Sequence, residues 1–416
     1  MVGRRGLTSI LVAGAIAGGA VVAAITGGGG GGPAPSGTAN AWVSPNAGAS
    51  PTVCATPCAY DSTKAYGSFD AAWDAVGNGA TIRVTAGTYP GQTISGNKTS
   101  TTSIIGENGV VLTHALIASG NFMWAENMTI NTTDRGQSSA GQIFANNVTF
   151  KNIKFWGPYV AMGVDGTGFT WQGGEIGQSG TTGGVRVVGQ DGEPIYLNAN
   201  NATIDGLQFN PQQSDRTTDF HLEMIRVQEV DNITIKNNYF VGGTDAGSGM
   251  IFVTKTSPGR AADNLKLINN IFEPVIGSYS IQVQVNVTEC HGWQIAYNTW
   301  YQPILAGPGG GCTSFFDPLF VGNLGVPVGI CQGTHIQNVW QDSSTISCGT
   351  DITVNGSDNQ VNNLGLNSTS RLNSGSPAID AGETTYCSSL VGSRDLDGGT
   401  RPIGSACDAG ADEFGN

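Results

Sequence analysis

Six copies of one nine-residue frame restrict this chain to a solenoid. The frame reads Asn147-Val-Thr-Phe-Lys-Asn-Ile-Lys-Phe155, then Gly168-Phe-Thr-Trp-Gln-Gly-Gly-Glu-Ile176 and Asn201-Ala-Thr-Ile-Asp-Gly-Leu-Gln-Phe209. It returns as Asn232-Ile-Thr-Ile-Lys-Asn-Asn-Tyr-Phe240, Asn264-Leu-Lys-Leu-Ile-Asn-Asn-Ile-Phe272 and Gly292-Trp-Gln-Ile-Ala-Tyr-Asn-Thr-Trp300. Successive starts lie 21 to 33 residues apart, the range of one solenoid coil. The fourth and ninth places are always apolar and the sixth is Asn, Gly or Tyr. A short strand therefore sends the fourth residue inward, and the sixth takes a tight corner where φ is positive. The ninth returns to the core. Coils about 4.8 Å apart then align like places into ladders, apolar inside and Asn at the turn.

Leucine-rich repeats would show an LxxLxL frame, and propeller blades a more even period near 40 residues. Neither is present. Asn127-Met-Thr-Ile-Asn131 reads as an earlier partial copy. The Asn-x-Thr triplets at 147, 201 and 232 could be glycosylation acceptors, but they fall on ladder places, which explains them structurally. Low charge (12%) with 63 glycines fits an all-β, turn-dense chain.

A net charge of −13 argues against nucleic acid or an anionic membrane as partner, and a monomer is expected. Arg4 and Arg5 followed by the apolar run Leu7 to Ile25 read as an export signal, with a Gly-rich spacer and a cleavage triplet at Ala39-Asn40-Ala41. Residues 1–41 are thus expected to be leader and spacer, and the product secreted; an uncleaved N-terminal anchor is the alternative. Eight cysteines in an exported chain imply disulfides. Distant coils of a solenoid cannot meet, so nearest-neighbour pairs are expected: Cys54–Cys58, Cys290–Cys312, Cys331–Cys348 and Cys387–Cys407.

Both ends of a solenoid need covering. Ser68 to Gly77 reads as a short amphipathic helix with Phe69, Trp73 and Val76 on one face. With Ile82 to Tyr89 (I-x-V-x-x-G-T-Y) behind it, this opening resembles the pectin-lyase-like β-helix proteins. Gly375-Ser-Pro-Ala-Ile-Asp-Ala-Gly382, Asp395-Leu-Asp-Gly398, Arg401 and Asp408 to Phe414 resemble a C-terminal segment of bacterial secreted members. The fold expected is all-β: a right-handed parallel β-helix over 42–350, with an N-terminal capping helix and a C-terminal capping segment over 351–416. Asp317-Pro-Leu-Phe320 also recurs in such proteins, but the coil after it departs from the pattern.

The resemblance implies a glycan lying along an exterior sheet face. Alternation in the strands before the frames puts Val185 and Val187, Ile225 and Val227, Ile251 and Val253, and Ile281, Val283 and Val285 inward. The outward set is Arg186, Arg226, Gln228, Phe252, Thr254, Gln282 and Gln284, a strip suited to hydroxyls, carboxylates and sugar faces. Beside it lies the densest polar cluster, Asp215, Arg216, Asp219, His221 and Glu223, and the next coil adds Asp245, Lys255 and Arg260. The same cluster also reads as a long loop hydrogen-bonded onto the solenoid. A metal role for His221 and Glu223 is the weaker alternative, and His114, His291 and His335 read as structural.

Three functions fit. A polysaccharide lyase would use Arg226, Lys255 or His221 as base on a uronate, with Arg or Ca2+ neutralising the carboxylate. A glycoside hydrolase would pair Asp219 or Glu223 with Asp245. A non-catalytic glycan-binding solenoid needs neither. The paired-Asp and Gly-His-Gly signatures of polygalacturonase-type hydrolases are missing, as is the Arg-x-Pro-x-x-Arg motif of the main pectate lyases. The Arg-bearing strip favours the lyase. No cofactor is required by any motif, although Asp395-Leu-Asp397 could offer oxygens to Ca2+. Outward Arg226 is expected to serve function, so Arg226→Ala should barely change stability.

Overall fold

The computed structural model describes residues 35–113, 116–131, 141–156, 162–177, 194–210, 223–242, 250–274, 279–302, 304–305, 311–312, 314–325, 333–341, 352–354 and 359–415. Over these, strands join side by side in parallel into sheets of 21, nine and three strands. This is a right-handed parallel β-helix, the sense parallel crossovers take.

The frame builds the long sheet as expected. Fourth-place Phe150, Trp171, Ile204, Ile235, Leu267 and Ile295 are fully buried, and ninth-place Phe209, Phe240 and Phe272 stack with centroids 4.5 and 4.6 Å apart. Sixth-place Asn152, Gly173, Gly206, Asn237, Asn269 and Tyr297 all have positive φ. So do the first-place residues Asn147, Gly168, Asn201, Asn232, Asn264 and Gly292, a second corner that the frame did not announce.

At the seventh place the turn carries a buried ladder. Asn238, Asn270, Asn298, Asn323 and Asn338 are fully buried, and each of the first four donates its Nδ2–H to the next one's Oδ1, at 2.9 to 3.2 Å. The early partial copy sits in another register. Glu126 pairs with Lys151 and Met128 with Ile153, so Asn127 stands opposite sixth-place Asn152, and the copy begins at Phe122. Two further copies follow the sixth. Phe320 pairs with Ile295, and His335 with Phe320, so Asp317-Pro-Leu-Phe320 and the coil after it belong to the ladder. His335 occupies an interior place. Pairing continues through Ile352–Val354 and Asn359–Val361.

At the N-terminal side, Phe69–Ala75 is helical, Ser68 accepts the Ala71 N–H, and Phe69 and Trp73 are fully buried. Ala41 is also fully buried, in the strand Ala41–Val43 that pairs with Ile82 to Val84. The Ala39-Asn40-Ala41 triplet therefore belongs to the folded body, and cleavage after Ala41 would cut the first strand. No helix among the described residues is long and apolar enough to cross a membrane.

The C-terminal segment lies on the outer flank of the last coils. Outward fifth-place residues are polar early (Lys151, Gln172, Asp205, Lys236) and apolar late (Ile268, Ala296, Val321, Ile336). The late ones form a cluster with Cys387 and Cys407. Eighth-place Leu324 and Val339 pack with Leu364, Leu372, Ala378 and Ala409. Gly410 donates its N–H to Gly322 O, and Ala411 to Thr299 Oγ1. Asp397 is engaged by both Nε and Nη2 of Arg371 at 2.6 Å, and Asp395 accepts the Gly399 N–H. Asp395 thus closes its own loop, while Asp397 ties that loop to Arg371.

The bridges Cys54–Cys58, Cys290–Cys312 and Cys387–Cys407 are present, while Cys331 and Cys348 lie outside the described residues. Cys387 and Cys407 stand 20 residues apart and close the flank segment on itself. Replacing both by alanine should cost about 3 kcal/mol by the chain-entropy account, read from guanidinium unfolding. A loss under about 1 kcal/mol would show that packing alone holds the segment.

Candidate functional site

The nine-stranded sheet presents the candidate face. Ile195 and Leu197, Ile225 and Val227, Ile251 and Val253, and Ile281 and Val283 point inward and are at most 1% exposed. Strand register then aligns one outward column: Gly163, Tyr196, Arg226, Phe252 and Gln282. The Arg226 guanidinium carbon lies 5.0 Å from the Tyr196 ring centroid and 5.9 Å from that of Phe252. Arg226 is thus held between aromatic rings from the coils on either side, a cation–π arrangement that limits the rotamers of a long side chain.

A second outward column, Asp165, Asn198, Gln228 and Thr254, is tied by hydrogen bonds. Asn198 Nδ2 donates to Asp165 at 3.1 Å, and Tyr196 Oη donates to Gln228 at 3.2 Å. Directly after its strand, Glu229 turns with φ 53° and accepts from Thr256 N at 2.6 Å. Lys255 Nζ lies 3.6 Å from the same carboxylate. The Thr256 side-chain and backbone hydrogen bonds hold the Glu229 carboxyl below its usual range. Gln284 Oε1 accepts from Thr254 Oγ1 at 2.6 Å and from Lys255 N at 3.0 Å, so this polar knot closes the strand ends beside the Arg226 column.

The structure gathers Arg226, Gln228, Phe252 and Gln282 on one face as the alternation predicts, with three departures. First, the strand paired with Ile225–Gln228 is Ile195–Asn200. Tyr196 therefore fills the place beside Arg226 that was assigned to Arg186, which lies outside the described residues. Its signal was present: Ile195-Tyr-Leu-Asn-Ala199 alternates as cleanly as any strand. Second, the Ile281–Val283 strand ends early. Val285, read as inward, is 66% exposed, while Gln284 keeps an outward place beside Thr254, its Oε1 taken up by Thr254 Oγ1 and Lys255 N. Third, Glu223 is fully buried and cannot touch a polymer arriving from solvent. Phe252 is only 6% exposed, so it braces Arg226 more than it offers sugar-stacking area.

Lys255 adjoins the face through Glu229, whereas Arg260 is paired with Asp263 on another side of the coil. His221, Asp219, Asp215, Arg216 and Asp245 lie outside the described residues. Among the described residues no group of three or more His, Cys, Asp or Glu side chains could hold a metal ion.

No protein-family profile matches this chain, and no curated protein matches it. Among solved structures, pectate lyase Pel9A is similar at 14% identity and a TM-score of 0.46, over 90% of this chain and 96% of its own. The PL6 family alginate lyase AlyGC is similar at 14% identity and a TM-score of 0.39. That match covers 70% of this chain and 48% of the alginate lyase, so the chain spans about half of that enzyme's length. At these identities the likeness is one of stacked parallel strands, and the substrates in those names belong to those proteins.

Proposed function

We propose that this is a secreted β-helix protein that binds a uronate-containing polysaccharide along the nine-stranded face and cleaves it by β-elimination. The observation that carries the reading is the Tyr196–Arg226–Phe252 column. A guanidinium fixed between two rings, with hydroxyl and amide groups beside it, suits a carboxylated sugar better than a neutral one. Elimination needs the charge on that carboxylate neutralised as the proton leaves the neighbouring carbon. The carbon–hydrogen electrons then form the double bond, the bond to the leaving sugar breaks, and the leaving oxygen takes a proton. Arg226 is assigned to the carboxylate. His221, five residues upstream in sequence, carries the imidazole assigned to accept the proton.

A hydrolase needs two carboxylates at most about 9.5 Å apart. On the described face Asp165 and Glu229 come from strands two coils apart, and each carboxylate is already engaged by hydrogen bonds within the fold. This favours the lyase.

The test is a panel of uronate and neutral glycans followed by the ultraviolet absorbance of unsaturated product. Absorbance with a uronate polymer is expected. New reducing ends without absorbance would select a hydrolase, and silence in both assays would select binding alone. Arg226→Lys keeps the charge but loses the planar fork, and should cut turnover at least about ten-fold, as loss of a charge-assisted hydrogen bond implies. Undiminished turnover in folded Arg226→Lys would remove Arg226 from the site.

A further inference from the structure

The long sheet carries a second open surface that the nine-stranded face does not use. Four successive coils, through Thr81–Val84, Thr102–Gly106, Met123–Asn131 and Thr149–Trp156, border a groove of about 700 Å3. Arg83, Glu107, Asn127, Asn152, Lys154 and Trp156 line it. Three coil spacings make it about 14 Å long. On the last coils the same flank of the long sheet is covered by the C-terminal segment; here it is open.

Two features say what chemistry the groove fits. Residues 80–156 hold five cations (Arg83, Lys98, Arg135, Lys151, Lys154) against three carboxylates (Glu107, Glu126, Asp134), a net +2 in a chain of −13. The rest of the chain therefore carries −15, and an anionic polymer is repelled least along these coils. The Trp156 indole Nε1 is buried and has no hydrogen-bond partner among the described residues, so the ring presents carbon rather than its N–H to the groove. Lys154 Nζ lies 5.5 Å from that ring's centroid and 3.7 Å from Glu175 Oε2; it is 42% exposed, so a ligand carboxylate on the same ring would share it with Glu175. Arg83 bonds the Ser36 carbonyl and Glu107 and is 24% exposed at the groove's other end.

We propose that this groove is a second glycan-binding site, which takes an anionic oligosaccharide with one sugar ring on Trp156 and carboxylates beside Lys154 and Arg83. It would anchor a carboxylated polymer away from the face where Arg226 stands. The proposal is independent of whether that face is catalytic.

The test is calorimetric titration of the full chain, in the Arg226→Gln background, with a galacturonate trimer and with the matching neutral galactose trimer. The Arg226→Gln change silences the first face, so a failure there leaves this result readable. Binding of the galacturonate trimer is expected, weakened about ten-fold by Lys154→Gln as loss of one charge-assisted contact implies, and likewise by Trp156→Ala. Melting temperatures report folding, and Lys154→Gln stands as the deciding variant should Trp156→Ala unfold. Equal binding of the neutral trimer, no binding at all in this background, or undiminished binding by folded Lys154→Gln would each overturn the proposal.

Discussion

Arg401→Ala should destabilise the fold by about 4 kcal/mol, the scale of breaking a buried ion pair by removing one partner. The Arg401 side chain is wholly buried, with Nε 3.2 Å from Glu413 Oε2 and the guanidinium carbon 4.8 Å from the Tyr297 ring centroid. Its Nη2 donates to the Asp408 and Gly410 carbonyls, and its Nη1 to Asn269 Oδ1. One side chain thus ties the flank segment to sixth-place residues of two coils. Burial works against both charges, pushing the Arg401 pKa down and the Glu413 pKa up. The pair is therefore costly to bury and costlier to break. Removing Arg401 leaves Glu413, 2% exposed, with only its bonds from Ile403 N and Asp408 N. Equilibrium guanidinium unfolding measures the loss, and limited proteolysis should cut first within residues 364–415. Arg401→Met with Glu413→Gln should recover part of it, since an apolar replacement leaves no buried charge. A single-variant loss under about 1 kcal/mol would mean that the segment is held by its apolar contacts and disulfide alone.

Asn298→Ala should cost a similar amount, about 4 kcal/mol, because it interrupts the ladder at its centre and orphans buried backbone groups. Asn298 Oδ1 accepts from Asn270 N at 3.0 Å and from Asn270 Nδ2 at 2.9 Å, while its own Nδ2 donates to Leu267 O at 2.8 Å. Alanine leaves that N–H and that carbonyl without their amide partner, each costing about 1–3 kcal/mol, and also empties volume. By contrast, Asn264→Ala at the exposed first-place turn removes only an outer amide bond to Asn232 and trades a positive-φ Asn for Ala. Its cost should be nearer 1 kcal/mol. The difference between the two, measured by the same unfolding curves, is the diagnostic. Equal losses would show that burial of the seventh-place amides adds nothing.

Arg226 needs a different expectation from the one its outward position suggests. Contact with two rings is worth about 1–2 kcal/mol when partly desolvated, so Arg226→Ala should lower stability measurably as well as function. Position on the outer face was correctly legible, because β alternation is local. Its neighbours were not: Tyr196 comes from a coil 30 residues upstream, and only register places it there.

The same division runs through the molecule. Period-2 alternation, the nine-residue spacing and the Asn and Gly corners are local, and they determined the coil, its interior and the capping helix. They missed the asparagine ladder's burial because Asn238 and Asn270 look like any turn asparagines until the next coil seals them. The outer face could be read only as surface, since polarity there depends on what else covers it. The shift from Lys151 and Lys236 to Ile268, Ala296, Val321 and Ile336 at one frame place was the available sign of such a cover. What lies on those residues is set by Arg401, Tyr297 and the Cys387–Cys407 loop, contacts between segments a hundred residues apart whose free energies exist only once the coils are stacked. Sequence determined the coil because strand, corner and core place are each specified within nine residues. Tertiary structure alone decided which outward side chains meet, because register between coils depends on loop lengths that no local pattern encodes.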